Sequence, residues 1–510
     1  MKSNTVSQQK KSFRHILKQI KQTKFADYTG VSSLDETEKF PELFAKYSDV
    51  VDIMNHEQLM SILRKITQDA VSNDVDLINQ KGLIGTEKFD NFAHTRRGFI
   101  RPLDKISLKQ IETIEEYISY IYKQHKIAKK TADQTFYMFD HAAIQYYNGA
   151  DLAEMRALQL ANLPWYRKKP LPVLKTIMPA GQSHTQCLHA MLDQLEKKGK
   201  TITTLVASAR QIVELSLLYS QRRGEFATFK NLLPNLKLWV NDTGFYSVNE
   251  KLIESLFVGL DVKKVDIYNS ITGALALQED IKKQGVLTLQ TDQSVFYEFI
   301  PVEFVDSRGK VLQSAKRFHA GSVEPNKEYI MAVSNPSGLL SITTSDIVRV
   351  VNVNPLQIVY LRRAQSLNLA KENLHTYLVD KVIAALNKVL ESYHIVIRDY
   401  MVGYDSYEKR HIWALELNKS PELIDEKILA SIVNRIHKML LQNSRMYNRA
   451  MDTNDLNTPR MHMLPLGGLA IFEKPKGVHG IDLSEDASVV MRYAENNINK
   501  VFQAANVKIL

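Results

Sequence analysis

The sequence predicts a multi-domain α/β protein, in which a large region of mixed build, residues 1–365, precedes a small α+β unit, residues 366–510. The chain has 510 residues, and a domain usually holds about 150, which favours more than one domain. Hydrophobic residues make up 44% and charged residues 24%, values typical of folded soluble proteins. Beyond residue 200, short apolar runs alternate with helical patterns, as they do in α/β domains.

Helical periodicity dominates the first part of the chain. Apolar residues recur at the spacing of one helix face, for example Phe13, Ile16, Leu17 and Ile20, and this predicts helices within residues 1–80. Glycine and proline interrupt the pattern over 81–107. Helical spacing returns afterwards, so we expect helix over 108–163.

The middle of the chain carries short apolar runs typical of strands. The predicted strands are Thr203–Val206, Leu236–Val240, Val286–Leu289, Val295–Phe304, Tyr329–Val333 and Asp346–Val350. The first two alternate with helices and favour a three-layer α/β arrangement, whereas the later ones follow one another and favour a β-rich part.

The small unit begins where the pattern changes, near Gln365–Ser366. Its predicted elements are a helix near Leu369–Leu390, a hairpin of Ile395–Val402 and His411–Leu417, and a helix capped by Ser420 with Pro421 at its first position.

Charge and cysteine content exclude several classes of protein. Lys and Arg number 66 against 56 Asp and Glu, a net charge of +10, but the basic clusters are short and scattered, so we expect no nucleic-acid partner. The single cysteine, Cys187, excludes a disulfide framework and a multi-cysteine zinc site. We expect no metal cluster of His and Cys, because His184, Cys187 and His189 do not share one helix face.

Location is predicted from two absences in the sequence. No apolar run reaches about 18 residues, so no membrane span is expected. Residues 1–24 lack the apolar core of a Sec-type signal peptide, which favours a cytoplasmic location and leaves export by another machinery open. Nucleotide motifs of the Walker A or Gly-x-Gly-x-x-Gly type do not occur.

A series of segments nevertheless matches one known family, in the same order. The segments are Phe13–Leu17, Leu233–Leu238, Ile267–Gln278, Phe296–Pro301, Gly338–Val350, Arg363–Leu374, Ile395–Leu417 and Tyr447–Phe472. They resemble the plant auxin-responsive acyl-acid amido synthetases and their bacterial relatives, of the adenylate-forming superfamily that includes firefly luciferase and acyl-CoA synthetases. The resemblance implies an adenylation-like domain over 1–365 and a small mobile C-terminal domain over 366–510.

The resemblance also implies a reaction. In that family a carboxylate attacks the α-phosphate of ATP, pyrophosphate leaves, and an amine, usually that of an amino acid, attacks the acyl-adenylate. The implied partners are therefore a small carboxylic acid and an amine or amino acid, with ATP and AMP as cofactor. A protein partner stays open.

Three family motifs imply the site residues. The phosphate loop falls on Asn91–Gly98, where Thr95 and Gly98 match and Arg96 and Arg97 supply charge. In the third motif Asp346 would accept the ribose hydroxyls, and Arg363 would reach ribose or phosphate. The resemblance thus implies Arg96, Arg97 and Arg363 as catalytic residues.

The second motif implies a nucleotide site that departs from the family pattern. Tyr268 would form an adenine shelf, with Asn269 and Thr272 beside it. Thr272 stands where the family has a glutamate that holds Mg²⁺, and a neutral hydroxyl is a weak magnesium ligand. Whether Mg²⁺ binds is therefore left open.

A second function stays open beside the synthetase. The phosphate loop and the magnesium position both depart from the family, whereas the scaffold segments persist. The chain is then either an active ligase or a catalytically degenerate binding or regulatory protein on the same fold. In the second case Tyr268 and Asp346 would be a core aromatic and a turn carboxylate.

Overall fold

A computed structural model describes most of the chain. The described residues are 5–66, 82–85, 88–94, 100–103, 105–128, 134–139, 144–147, 149–163, 184–225, 227–242, 250–270, 273–291, 294–306, 309–364, 366–367, 370–372, 374–405 and 407–465.

Helices occur in both parts of the chain. They are α1 (Thr5–Ile20), α2 (Phe25–Tyr28), α3 (Phe40–Val50), α4 (His56–Ile66), α5 (Lys105–Gln124), α6 (Met155–Ala161), α7 (His184–Lys198), α8 (Ala209–Arg223), α9 (Phe229–Leu232), α10 (Glu250–Leu256), α11 (Thr376–Leu390), α12 (Glu426–Asn443) and α13 (Arg445–Asp452). Among the described helices, none is long and apolar enough to cross a membrane.

The strands are β1 (Asn91–His94), β2 (Ile100–Pro102), β3 (Gln134–Tyr137), β4 (Gln145–Tyr147), β5 (Ala150–Glu154), β6 (Ile202–Val206), β7 (Leu238–Asn241), β8 (Lys263–Ser270), β9 (Gly273–Leu277), β10 (Val286–Leu289), β11 (Phe296–Pro301), β12 (Phe318–His319), β13 (Glu328–Ser334), β14 (Ile342–Val353), β15 (Leu356–Arg363), β16 (Ser366–Leu367), β17 (Leu374–His375), β18 (Ile397–Asp405), β19 (Arg410–Leu417) and β20 (Asn457–Leu464).

One large mixed sheet organises residues 134–363. Within the described residues its eleven strands run in the order β12-β11-β13-β14-β15-β10-β9-β8-β7-β6-β3. Strands β3, β6, β7 and β8 are parallel, and the strands from β8 to β12 pair antiparallel. This confirms the expected succession of an α/β part and a β-rich part, and it leaves the carboxyl ends of parallel strands at one edge, where α/β proteins bind ligands.

Local sequence signals explain how the parallel strands connect to helices. Ser208 follows β6 and accepts a hydrogen bond from the Gln211 backbone, while the Gln211 side chain accepts one from the Ser208 backbone, which forms a capping box at the start of α8. Gly224 ends the same helix at a φ of 73°, a left-handed conformation that glycine adopts at low cost. The predicted strand Thr203–Val206 therefore lies within β6 and continues directly into α8.

Two predicted elements differ in the structure. Strands β3 to β5 lie where continuous helix over 108–163 was expected, and only α5 and α6 are helical there. The sequence Gln134–Tyr137 is rich in residues that favour strands, and Gly149 at a φ of 84° turns the chain between β4 and β5. Ser420 precedes a short 3₁₀ turn without bonding it, whereas Asp425 caps α12 by accepting a hydrogen bond from Lys427 N.

The small unit has a core of its own. Strands β18 and β19 form the predicted hairpin, and β20 pairs parallel with β19. Helices α11 and α12 cover this sheet, and their apolar faces join the strand residues in one buried cluster that includes Val382, Ile432 and Trp413. The boundary at 365/366 stays a prediction.

Ion pairs connect the two regions of the chain. Glu214 of α8, whose side chain is 2% exposed, contacts Arg210 Nε at 2.9 Å and Arg398 Nη2 of β18 at 3.1 Å. Arg398 also contacts Glu416 of β19 through Nη1 at 3.0 Å. Arg398 is thus shared between a carboxylate of the large sheet region and one of the small unit.

Candidate functional site

The candidate site lies where β8, β14 and β15 approach one another. Asp346 of β14 is the register partner of Arg363 at the end of β15. Tyr268 is near the carboxyl end of β8, and β9, β10 and β15 separate β8 from β14 in the sheet. Four strand spacings of about 4.8 Å would place β8 and β14 roughly 19 Å apart in a flat sheet. The sheet must therefore curl here for Tyr268 and Asp346 to meet.

Asp346 contacts side chains from two other strands. The Tyr268 hydroxyl donates to Asp346 Oδ2 at 2.7 Å, and Arg363 Nη1 lies 2.7 Å from Asp346 Oδ1. The Asp346 side chain is 5% exposed and that of Arg363 is 24% exposed. The Tyr268 hydrogen bond at one oxygen and the Arg363 ion pair at the other together orient this carboxylate.

Burial sets the protonation state of Tyr268. Burial raises the pKa of the Tyr268 hydroxyl well above its ordinary value, and the nearby Asp346 charge raises it further. The hydroxyl therefore keeps its proton at neutral pH and remains a donor to the carboxylate. The ring of Tyr268 belongs to the apolar cluster of the β-rich part, and the residue is 2% exposed.

The backbone just before Asp346 is part of the same arrangement. Thr344 O accepts a hydrogen bond from Arg363 Nη1 at 3.4 Å, and Thr344 Oγ1 accepts one from Asp346 N at 3.4 Å. Ser345 has a φ of 61°, a left-handed value that glycine adopts most easily. The structure thus explains why a glycine would suit this position.

The second motif also makes contacts on the parallel side of the sheet. Asn269 Nδ2 donates to the Asp242 backbone carbonyl at 3.2 Å, and the Asp242 carboxylate pairs with Arg156. Arg156 Nη1 donates to Met138 O at 2.5 Å. Sequence reasoning missed Arg156, Asp242 and Thr344, although Asp242 lies two residues beyond the predicted strand Leu236–Val240 and could have been found from that position.

Gly273, the first residue of β9, has no room for a side chain. Gly273 has a φ of 105°, and a Cβ placed on it would lie 1.7 Å from Gln110 Oε1. Gln110 Oε1 also accepts a hydrogen bond from Ala274 N at 3.2 Å. The glycine therefore lets α5 contact the start of β9 directly.

The structure brings some of the predicted residues together and does not describe others. Tyr268, Asp346 and Arg363 form one contact group, with Asn269 next in the chain. Five predicted residues lie outside the described residues: Thr95, Arg96, Arg97, Gly98 and Thr272. Among the residues that are described, no group of three or more His, Cys, Asp or Glu side chains converges as metal ligands.

Comparison with solved structures identifies the fold as that of adenylate-forming enzymes. A GH3.15 acyl acid amido synthetase matches 100% of this chain and 95% of its own, with a TM-score of 0.71 and 14% identity. A GH3.15 synthetase in complex with 2,4-DB matches 99% of this chain and 94% of its own, with a TM-score of 0.72 and 15% identity. A 2-hydroxyisobutyryl-CoA ligase in the postadenylation state matches 98% and 91%, with a TM-score of 0.56 and 8% identity.

The family is indicated by sequence as well. Residues 288–363 match the model of the GH3 family central domain, a segment that contains Asp346 and Arg363. This match and the fold of the whole chain both support the GH3 adenylate-forming family, as the resemblance implied. No curated protein matches the chain in sequence.

Proposed function

We propose that the protein is an ATP-dependent acyl-acid amido synthetase, which adenylates a small carboxylic acid and then transfers the acyl group to an amine or amino acid. The observation that carries the proposal is the Asp346 carboxylate, oriented by Tyr268 and Arg363 within the segment that matches the GH3 central domain. A buried carboxylate of fixed orientation is suited to accept the two hydroxyls of a ribose.

The described residues of the site suit the ribose and the adjacent phosphate of a nucleotide. Asp346 offers acceptors for ribose hydroxyls, and Arg363 is a partly exposed cation beside it, suited to an adjacent phosphate oxygen. Asn269 lies next to Tyr268 on the same strand. Within the proposal, the pyrophosphate would be bound by the loop residues Thr95, Arg96, Arg97 and Gly98. Thr272 is a weak magnesium ligand, so Mg²⁺ would depend on the substrate phosphates for its binding.

The proposed reaction has two balanced steps. A carboxylate oxygen of the acid forms a bond to the α-phosphorus of ATP, and the bond to the pyrophosphate oxygen breaks. The amine nitrogen then forms a bond to the acyl carbon, AMP leaves with the former carboxylate oxygen, and the nitrogen loses a proton. We propose that residues 366–510 move relative to 1–365 between these steps, and that the protein works in the cytoplasm.

Pyrophosphate release tests the proposal. With ATP, Mg²⁺ and a panel of small carboxylic acids, we expect release by the native protein and at least a tenfold loss in Asp346→Asn, which keeps the size of the side chain. Asp261→Asn is the matched control, because Asp261 precedes β8 and is 87% exposed. Equal release by Asp346→Asn and the native protein would refute the site.

The second candidate function, a binding or regulatory protein without ligase chemistry, is favoured by Thr272 at the position of the family's glutamate. Calorimetry with ATP, with and without Mg²⁺, separates the two. Nucleotide binding that ignores Mg²⁺, together with no pyrophosphate release for any acid, would favour this second function.

A further inference from the structure

We propose that Tyr268 serves nucleotide binding through its hydroxyl, as a positioning residue that holds the Asp346 carboxylate for the ribose, and not through the face of its ring. This inference rests on the proposed function and deepens it. It replaces the adenine shelf that the sequence resemblance implied with a different role for the same side chain.

The placement of the ring argues against stacking. Tyr268 is 2% exposed and packs in a cluster with Leu275, Ala276 and Leu287. Its ring centroid lies 6.3 Å from that of Tyr360 on β15, at an interplanar angle of 40°. A shelf for adenine needs an open ring face, whereas this ring contributes to the packed interior of the curled sheet.

The placement of the hydroxyl argues for positioning. It lies 2.7 Å from Asp346 Oδ2, and Arg363 lies at the other carboxylate oxygen. Asp346 Oδ1 is buried and accepts no hydrogen bond from the described residues. A carboxylate accepts about four hydrogen bonds, so two ribose hydroxyls fit beside the one from Tyr268. The carboxylate can therefore be oriented in advance without being saturated.

The two partners of Asp346 differ in how firmly they are held. The Tyr268 ring is enclosed by apolar neighbours, so its hydroxyl has little freedom. Arg363 has a long side chain that is 24% exposed, and it can rotate away when a ribose enters. Tyr268 is then the constant partner of Asp346, and Arg363 is the exchangeable one.

Two phenylalanine variants form a matched test. Tyr268→Phe removes the hydroxyl and keeps the ring. Tyr297→Phe makes the same change at a tyrosine that is 0% exposed, whose hydroxyl donates to Gln290 O at 2.8 Å and Leu275 O at 3.2 Å, away from Asp346. Calorimetry measures the affinity of each protein for ATP and for 2′-deoxy-ATP.

We expect Tyr268→Phe to bind ATP roughly tenfold more weakly, the usual effect of losing one hydrogen bond to a charged group. Its preference for ATP over 2′-deoxy-ATP should shrink, whereas Tyr297→Phe should match the native protein in both quantities. A purely structural loss would weaken both nucleotides equally and would overturn the inference. So would an unchanged Tyr268→Phe, since the ring alone would then account for binding.

A double variant separates an effect that acts through Asp346 from a general effect on folding. In an Asp346→Asn background, Tyr268→Phe should have no further effect on the ratio of the two affinities, and an undiminished effect would overturn the inference. If the native protein binds no ATP, the proposed function and this inference both fail. If it binds ATP and Tyr268→Phe leaves the ratio unchanged, only the inference fails.

Discussion

At the scale of single residues, Ser345 holds a backbone conformation that side chains rarely adopt. Its φ of 61° lies in the left-handed region, which costs an ordinary residue about 1 kcal/mol more than glycine. Its carbonyl accepts a hydrogen bond from Ala364 N at 3.0 Å. The conformation is therefore fixed by the pairing of β14 with β15, directly beside Asp346.

We expect Ser345→Gly to stabilise the protein by roughly 0.5–1 kcal/mol, because the released strain exceeds the added freedom of the unfolded chain. Urea unfolding measures this difference. Ser345→Ala is the control, since it removes the same hydroxyl and keeps the strain. A glycine variant no more stable than the alanine variant would contradict the explanation.

The residues of the site were only partly predictable. Tyr268, Asp346 and Arg363 each follow from a motif, but their contact depends on the curl of the sheet, which no local pattern encodes. The role of the Tyr268 ring was expected from the motif alone, whereas burial in the structure favours the hydroxyl. Thr344 was missed because its contribution is mostly a backbone carbonyl, and side-chain patterns do not reveal that.

At the scale of elements, α11 packs on β18 around a buried carboxyl group. Asp380 of α11 accepts a hydrogen bond from the Tyr400 hydroxyl of β18. Burial raises the pKa of Asp380 from 3.8 to about 7, and the Tyr400 hydrogen bond offsets only part of that rise. The protonated carboxyl is favoured in the folded state, so its contribution to stability is full below pH 3.8 and is lost as the pH rises to about 7.

We expect the free energy of unfolding of the native protein to fall by roughly 3 kcal/mol between pH 5 and pH 8 because of this group. The fall is about 1.4 kcal/mol per pH unit below the folded pKa. Asp380→Asn should lack that part of the pH dependence and should be the more stable protein at pH 8. Urea unfolding at both pH values measures this. Asp452→Asn is the control, because it removes an exposed carboxylate of the same unit, and it should keep the pH dependence of the native protein. If Asp380→Asn also kept that pH dependence, the assignment to Asp380 would be wrong.

Elements were predicted best where strand and helix patterns are distinct. The strand Val286–Leu289 has the predicted bounds, and the hairpin of β18 and β19 was expected. The stretch over 134–154 was expected to be helical because the helical spacing seen from Ile111 to Ile121 was extended as far as residue 163. Its strands form through pairing with β1 and β6, and such partners are distant in sequence.

At the scale of the whole molecule, the Glu214–Arg398 pair is a contact between the large region and the small unit. The Arg398 side chain is 17% exposed and that of Glu214 is 2% exposed, so both charges are largely removed from water. Removing one partner of such a pair leaves the other poorly solvated.

We expect Glu214→Gln to weaken the contact by about 1.5 kcal/mol and to raise the population of an open form roughly tenfold. Limited proteolysis within residues 363–374 should accelerate accordingly. Glu196→Gln is the control, because it breaks a pair with Arg222 whose side chains are 39% and 27% exposed. Equal cleavage of both variants would show that the pair does not hold the two parts together.

The overall architecture was predictable because the motifs occur in family order, even though the solved relatives share only 14% and 15% identity with the chain. The segments keep the order of the elements along the chain, and a shared fold preserves that order when individual residues change. The ion pair between the two regions could not be predicted in this way. It joins two residues that are distant in sequence, and no motif specifies their contact.

The curl of the large sheet also has a consequence for the order in which the protein is made. Tyr268 leaves the ribosome 78 positions before its partner Asp346, and Arg363 ends β15, the last strand of that sheet in the chain. A nascent chain can therefore pair its parallel strands early. It cannot form the full contact group of Tyr268, Asp346 and Arg363 until β15 has emerged. The contacts of Asp346 with Tyr268 and Arg363 are therefore among the last to form in the large sheet during synthesis, because they need both β8 and β15.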